Sequence, residues 1–328
     1  MGAGVLVATN SEALAEPAAP AAAKPRAYEV GKSYLSIDGY IEYFPGDAPV
    51  ILTAPHGGGL KPDSIPDRTK EACGGTAVTV RDTNTAELVL AMRQSYHDRY
   101  GSWPHVVINR LARVKLDANR PLDEAACGNA EAAKAFAAWH AAIDMAKAQV
   151  VKTSGKGWYM DIHGHGHEIQ RLELGYLVKP ADLNATDAEL DANTGARDRV
   201  SIAAILKAGG ASLSQGLRGP ASLGALYARA GFPSIPGDKD PRPGEAKYFN
   251  GGYNTSRHSC GAEAEPLGSK TGTAICGMQI ESNYKGVRDT AESRKRFGDA
   301  TAQVLGEYLA ASWGLDLKAE AAKARARK

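Results

Sequence analysis

The chain has 328 residues, 43% of them hydrophobic and 23% charged, a composition that excludes a disordered or fibrous protein and suits one enzyme-sized domain. Its 39 Lys and Arg against 37 Asp and Glu leave a formal charge of +2, which gives no electrostatic reason to expect nucleic acid or an acidic membrane surface, so a small molecule is the expected partner. No apolar run approaches the about 18 residues of a membrane-spanning helix, and a soluble or at most peripherally attached protein is expected.

Residues 1–27 pair a short apolar start with the small-residue pattern Ala13 to Ala15 and an Ala/Pro-rich linker. This reads as the remnant of a secretory signal without a basic leader, which points to a secreted or periplasmic protein and leaves a cytoplasmic one open. Strands are expected at 49–55, 105–111, 157–164, 172–178 and 277–282. Helices are expected from Thr83 to Tyr100, Ala130 to Lys152, Arg197 to Ala208, Ala221 to Ala230, and Thr290 to Trp313. The alternation predicts a single α/β domain over 28–315, a sheet flanked by helices. The Gly- and Pro-rich region 209–274 holds "YFNGGYNT", read as an ordered wall of an active site, and 316–328 reads as a frayed basic tail.

The four cysteines, Cys73, Cys127, Cys260 and Cys276, include no CxxC pair and therefore no zinc-knuckle or redox spacing. Two readings stay open: two disulfides in an exported protein, with Cys260 and Cys276 closing a short loop, or buried thiols in a cytosolic enzyme.

His56, Asn109, His163 and Glu281 each sit at or just past a C-terminal strand end, where open α/β sheets bind ligands. In "TAPHGGG", His56 precedes three glycines that let backbone approach a ligand closely. In "VRDTNTAELV", Asp82 or Thr83 can cap the helix, and both Asp82 and Glu87 can face the sheet edge. The span "NRLARVKLDANRP" gathers Arg110, Arg113, Asp117, Asn119 and Arg120, which suits recognition of a planar carboxylate or an Arg–Asp network around a turn. In "GWYMDIHGHGHE", Asp161 and His163 share a strand face, so the carboxylate can hold the ring in one tautomer, whereas His165 and His167 follow a glycine into a loop. Glu281, closing the strand "MQIES", can be a general base whose pKa burial raises.

In this order, "APHGGG", "RDTNT", "LDANRP", "DIHGHGH", "FNGGYNTSRH" and "MQIESN" resemble the N-formylglutamate amidohydrolase family, over about Pro49 to Trp313. The resemblance implies a zinc carboxypeptidase-like, phosphorylase/hydrolase-like fold with a mixed central β-sheet, and a metal-dependent hydrolase of the amide in an N-acyl amino acid such as N-formylglutamate. It implies Zn2+ held by His56, His163 and a carboxylate, with Asp82 preferred and Glu87 the alternative. Glu281 would be the base toward metal-activated water, and Arg113 or Arg110 the partner of the oxyanion. Asn119 and Arg120 would hold the substrate carboxylate. Tyr253, Thr255, Arg257 and His258 would line the pocket, with Arg257 for a second anionic group; His165 and His167, where the family requires no histidine, are expected at its rim.

The histidine-rich "DIHGHGH" and the long 209–274 region depart from the family pattern and leave the substrate open. A γ-glutamyl compound or a short peptide with a carboxylate is an alternative, as is a non-catalytic binder of acidic ligands, and closely spaced histidines can also sequester metal.

Overall fold

The computed structural model describes residues 28–75, 77–261 and 274–327. The signal-like segment 1–27 and part of the 209–274 region lie outside the described residues. The sheet consists of β1 (Tyr34–Leu35), β2 (Ile41–Phe44), β3 (Val50–Ala54), β4 (His105–Asn109), β5 (Gly157–Gly164), β6 (Leu172–Gly175), β7 (Ser234–Ile235) and β8 (Ile275–Ser282), in the order β1-β2-β4-β3-β5-β8-β6-β7. The inner strands β4, β3, β5 and β8 are parallel, while β2 and β6 pair with them antiparallel, so the sheet is mixed as expected.

The inner strands are buried throughout except at the half-buried Gly164 that ends β5, which is why the strands read as apolar runs in the sequence. Side chains of alternating residues enter different cores. Val50, Leu52, Trp158, Met160 and Ile162 pack with helices α1 (Thr85–Tyr100) and α11 (Ala291–Trp313). Ile51, Val107 and Tyr159 pack on the other face against α3 (Ala130–Ser154), around the fully buried Trp139. After β3 the chain builds β4 on one side, then returns to build β5 on the other. That reversal opens a crevice at the C-terminal ends of β3 and β5, the ligand position of open α/β sheets.

The expected helix from Arg197 to Ala208 is two helices, Thr194–Arg199 and Ala203–Gly209. Ser201 breaks it by joining the sheet edge: its N–H donates to the Tyr176 carbonyl, its hydroxyl donates to the Gly277 carbonyl at 2.6 Å, and its own carbonyl accepts from the Gly277 N–H. The strand expected to reach Val178 stops at Gly175, and Leu177 adopts a positive φ of 67°. The C-terminal segment is not frayed: Asp316 caps a helix over Leu317–Ala326, which buries Leu317, Ala321 and Ala324. The cysteines form two disulfides, Cys73–Cys127 and Cys260–Cys276, which decides between the two open readings. Among the described residues no helix is long and apolar enough to cross a membrane.

Candidate metal centre

The turn after β3 carries His56 into the crevice. Glycine is required behind it, because a Cβ on Gly57 would lie 2.5 Å from the Ala86 nitrogen and one on Gly58 2.3 Å from the Arg110 carbonyl carbon. The His56 carbonyl accepts the Asp82 N–H at 3.2 Å, which sets the start of α1 beside this turn. Asn84, at φ 65°, is the N-cap residue of α1 and makes no side-chain cap bond. The Asp82 carboxylate is thereby left for the crevice, and Oδ2 accepts the Gly164 N–H at 3.2 Å.

His163, from β5, completes a buried trio. The Nδ1 atoms of His56 and His163 are 3.1 Å apart, and Asp82 Oδ2 lies 3.2 Å from the second and 3.4 Å from the first. The outer nitrogens are both held: His56 Nε2 is 2.6 Å from Asp117 Oδ1, and His163 Nε2 is 2.9 Å from Asp161 Oδ2. An ionised carboxylate only accepts, so each Nε2 carries a proton, and whenever a ring is neutral its Nδ1 lone pair points toward the other ring and toward Asp82. The trio could hold a cation. A tetrahedron with bonds of about 2.0–2.1 Å has edges of roughly 3.3–3.4 Å, so the observed separations fit zinc.

Burial works against a charged His163, but Asp161, Asp82 and Glu281 overcome it and push its pKa up to about 10. Burial raises and His56 lowers the Asp82 and Asp117 carboxyls, and the balance holds both well below the usual range. A proton on His163 thus stands where a metal ion would place its charge.

Glu281 Oε1 is 3.8 Å from His163 Nδ1. Burial pushes the Glu281 pKa up to about 8, against the opposing charge of His163 and with help from Asp82 and Glu173. The register lines up His163 of β5, Glu281 of β8 and Glu173 of β6 in one row across the sheet. Arg113 joins the two acidic residues from the side, with Nε 2.9 Å from Asp117 Oδ2 and Nη1 3.7 Å from Asp82 Oδ1.

No family model matches the chain, and no curated protein does. Its neighbours among solved structures include an N-formylglutamate amidohydrolase from Ralstonia eutropha, with a TM-score of 0.43 at 13% identity over 81% of this chain and 93% of that one. A gene product of Agrobacterium tumefaciens is also similar, with a TM-score of 0.47 at 13% identity over 83% of this chain and 94% of that one.

The other expected site residues adjoin the trio or stand outside it. Glu87 has a side chain 48% exposed and lies 4.0 Å from Arg81, outside the trio that Asp82 joins. Asn119 lies against the centre: its Nδ2 is 3.4 Å from His163 Nε2 and donates to Gln279 Oε1 at 3.2 Å, and its Oδ1 accepts the Asn254 N–H at 2.8 Å. Arg120 donates to the Asn119 carbonyl and sits 3.8 Å from Glu124, half-buried yet close enough to lower the Asp117 pKa. Tyr253, Thr255, Arg257 and His258 belong to a short helix, Tyr253–His258, packed behind β5. There Arg257 meets the Tyr253 hydroxyl, and His258 lies 2.8 Å from His140 of α3. Arg257 lies close enough to His140 and Asp144 of α3 to act on their charge.

His165 is saturated by backbone, its Nε2 donating to the Arg171 carbonyl and its Nδ1 accepting the His167 N–H. Although His165, His167 and Glu173 lie close enough to hold an ion, they do not offer three free donors. The residues that sequence reasoning left unassigned are the buried supports: Asp117 under His56, Asn254 donating to Asp161 at 3.1 Å, and Arg288 bridging the loops. Asp117 and Asn254 both lie inside motifs already singled out, and a carboxylate or amide in such a motif was the available signal.

Proposed function

We propose that this protein is a zinc-dependent amidohydrolase of N-acyl amino acids such as N-formylglutamate. The observation that carries the proposal is the convergence of His56 Nδ1, His163 Nδ1 and Asp82 Oδ2 with both Nε2 atoms tied to buried carboxylates. Two imidazoles and one carboxylate leave a fourth position open, the pattern of a catalytic site and not a structural one.

Zinc, when bound, acidifies water and polarises the scissile carbonyl. Glu281, with its raised pKa and its oxygen turned to His163, takes the proton of the attacking water. Arg113, whose guanidinium flanks Asp82, stabilises the charge that develops on the carbonyl oxygen. Arg120, half-buried beside the Asp117 pair, is the residue for the substrate carboxylate. Asp117 and Asp161 keep the two rings in the tautomer that ligation needs. The two disulfides support a working place in an oxidising compartment outside the cytoplasm.

The test is metal content by elemental analysis together with hydrolysis of a panel of N-acyl amino acids beginning with N-formylglutamate. One zinc per chain and an activity lost in Glu281→Gln are expected. A protein that takes up no metal after reconstitution, or an activity indifferent to Glu281→Gln, would overturn the reading.

A further inference from the structure

The metal centre leaves two histidines of the tract unused, and backbone groups saturate His165 but not His167. His167 Nδ1 lies 2.8 Å from Glu173 Oε1, a carboxylate 1% exposed, and its ring stacks on Phe249 at 4.8 Å between centroids. The Phe249 N–H donates to Glu173 Oε2 at 2.8 Å, and the His167 N–H donates to His165 Nδ1 at 3.1 Å, so the dyad is fixed from both sides. Because Glu173 accepts at Nδ1, Nε2 is the nitrogen left for chemistry, and it has no hydrogen-bond partner among the described residues. The His167 side chain is 16% exposed, which suits a group at the mouth of the crevice.

Position gives this dyad its meaning. Glu173 is the direct cross-strand partner of Glu281, which in turn is the partner of His163. Directly opposed residues have Cβ atoms about 4.5–5.5 Å apart on one face of the sheet. The row therefore runs from a candidate metal ligand through the base to a carboxylate that carries a histidine.

We propose that His167, oriented by Glu173, is the acid that protonates the leaving nitrogen; this rests on the amidohydrolase reading. The water oxygen bonds to the carbonyl carbon as Glu281 takes a water proton. The carbon–nitrogen bond breaks as the nitrogen takes the proton from His167 Nε2, and it leaves as a neutral amine. Glu173 balances the imidazolium before transfer. The proton on Glu281 then passes to His167 through solvent, and both residues regain their starting states. Separating the two proton transfers lets base and acid stand on different sides of the scissile bond.

The experiment compares wild type, His167→Ala and Glu173→Gln for zinc per chain, KM and kcat on the best amide of the panel, with and without added imidazole. His167→Ala is expected to keep its zinc and KM and to lose roughly a hundredfold in kcat, with imidazole restoring part of it in proportion to its concentration. Glu173→Gln is expected to lower kcat less, with no response to imidazole. A kcat for His167→Ala within about threefold of wild type, or a loss that imidazole does not relieve, overturns this role and leaves the amidohydrolase reading intact. A zinc-loaded wild type inactive on every amide overturns both.

Discussion

His56 and His163 approach nitrogen to nitrogen at 3.1 Å, and neither ring can turn away, because Asp117 and Asp161 hold their far sides. In Asp117→Asn the amide oxygen can still accept from His56, but the ring loses a charged partner and Arg113 loses its nearest carboxylate, at 2.9 Å. Outer-sphere partners of this kind alter metal affinity by about 10–100-fold. Zinc affinity, measured by competition with a chelator, should fall within that range in Asp117→Asn; unchanged affinity would show that the carboxylate does not tune the ligand.

The choice between Asp82 and Glu87 is testable by the same measurement. Asp82 points its Oδ2 at both rings, while Glu87 is half-exposed beside Arg81. Asp82→Asn should abolish stoichiometric zinc binding and Glu87→Gln should leave it intact. A thermal scan adds an independent readout: zinc at a hundredfold excess over its Kd stabilises the folded state by about 2.7 kcal/mol, so wild type and Glu87→Gln should melt higher with zinc and Asp82→Asn should not. The opposite pattern would make Glu87 the ligand.

The parts legible in the sequence were those fixed by local pattern. Buried parallel strands read as short apolar runs, and His56, His163 and Glu281 were visible because each ends such a run. Support that depends on distant approach was not legible. His56 and Asp117 are 61 positions apart, and nothing in "LDANRP" distinguishes a carboxylate that holds a ring from one that pairs only with arginine; Asp117 does both. The break at Ser201 arises from bonds to Gly277 on another strand, which helical periodicity does not register. His258 pairs with His140 of α3, 118 positions earlier, a contact that its own motif does not announce.

Acid sensitivity should come in part from His105, at the start of β4 and away from the metal centre. Its Nδ1 accepts the Gly46 N–H at 3.1 Å and lies 2.8 Å from the Tyr43 hydroxyl. Burial pushes its pKa down from 6.5 to about 4, slightly opposed by Asp47. The unfolded chain therefore binds a proton between these values that the folded protein refuses, and stability present above pH 6.5 is lost as the pH falls toward 4. At about 1.4 kcal/mol per unit, the shift corresponds to about 3 kcal/mol. His140, pushed down to about 2 mainly by burial, acts in the same direction. Urea unfolding at pH 7 and pH 4.5 should show a smaller loss in His105→Gln than in wild type, since an amide oxygen accepts both bonds without titrating. An equal loss would assign the acid sensitivity to other groups.

Arg288 is the residue on which the three loops of the centre depend together. Its guanidinium donates to the Thr83 carbonyl, to Ser282 at 3.1 Å and to His165 at 3.1 Å, so it links the chain segments that carry Asp82, Glu281 and His163. It lies against Gly164, where a Cβ would stand 2.2 Å from Cζ. A lysine ammonium is a single point of charge and cannot reproduce a planar fork that meets three carbonyls. Arg288→Lys should leave at least one buried carbonyl unpaired, at about 1–3 kcal/mol, lowering the melting temperature. It should also weaken zinc binding, because Thr83 and Ser282 adjoin Asp82 and Glu281. Gly164→Ala displaces the guanidinium without removing it and should reproduce both effects. If Arg288→Lys and Gly164→Ala lower the melting temperature while zinc affinity stays at the wild-type value, the bridge supports the fold alone, and the three loops hold their ligands without it.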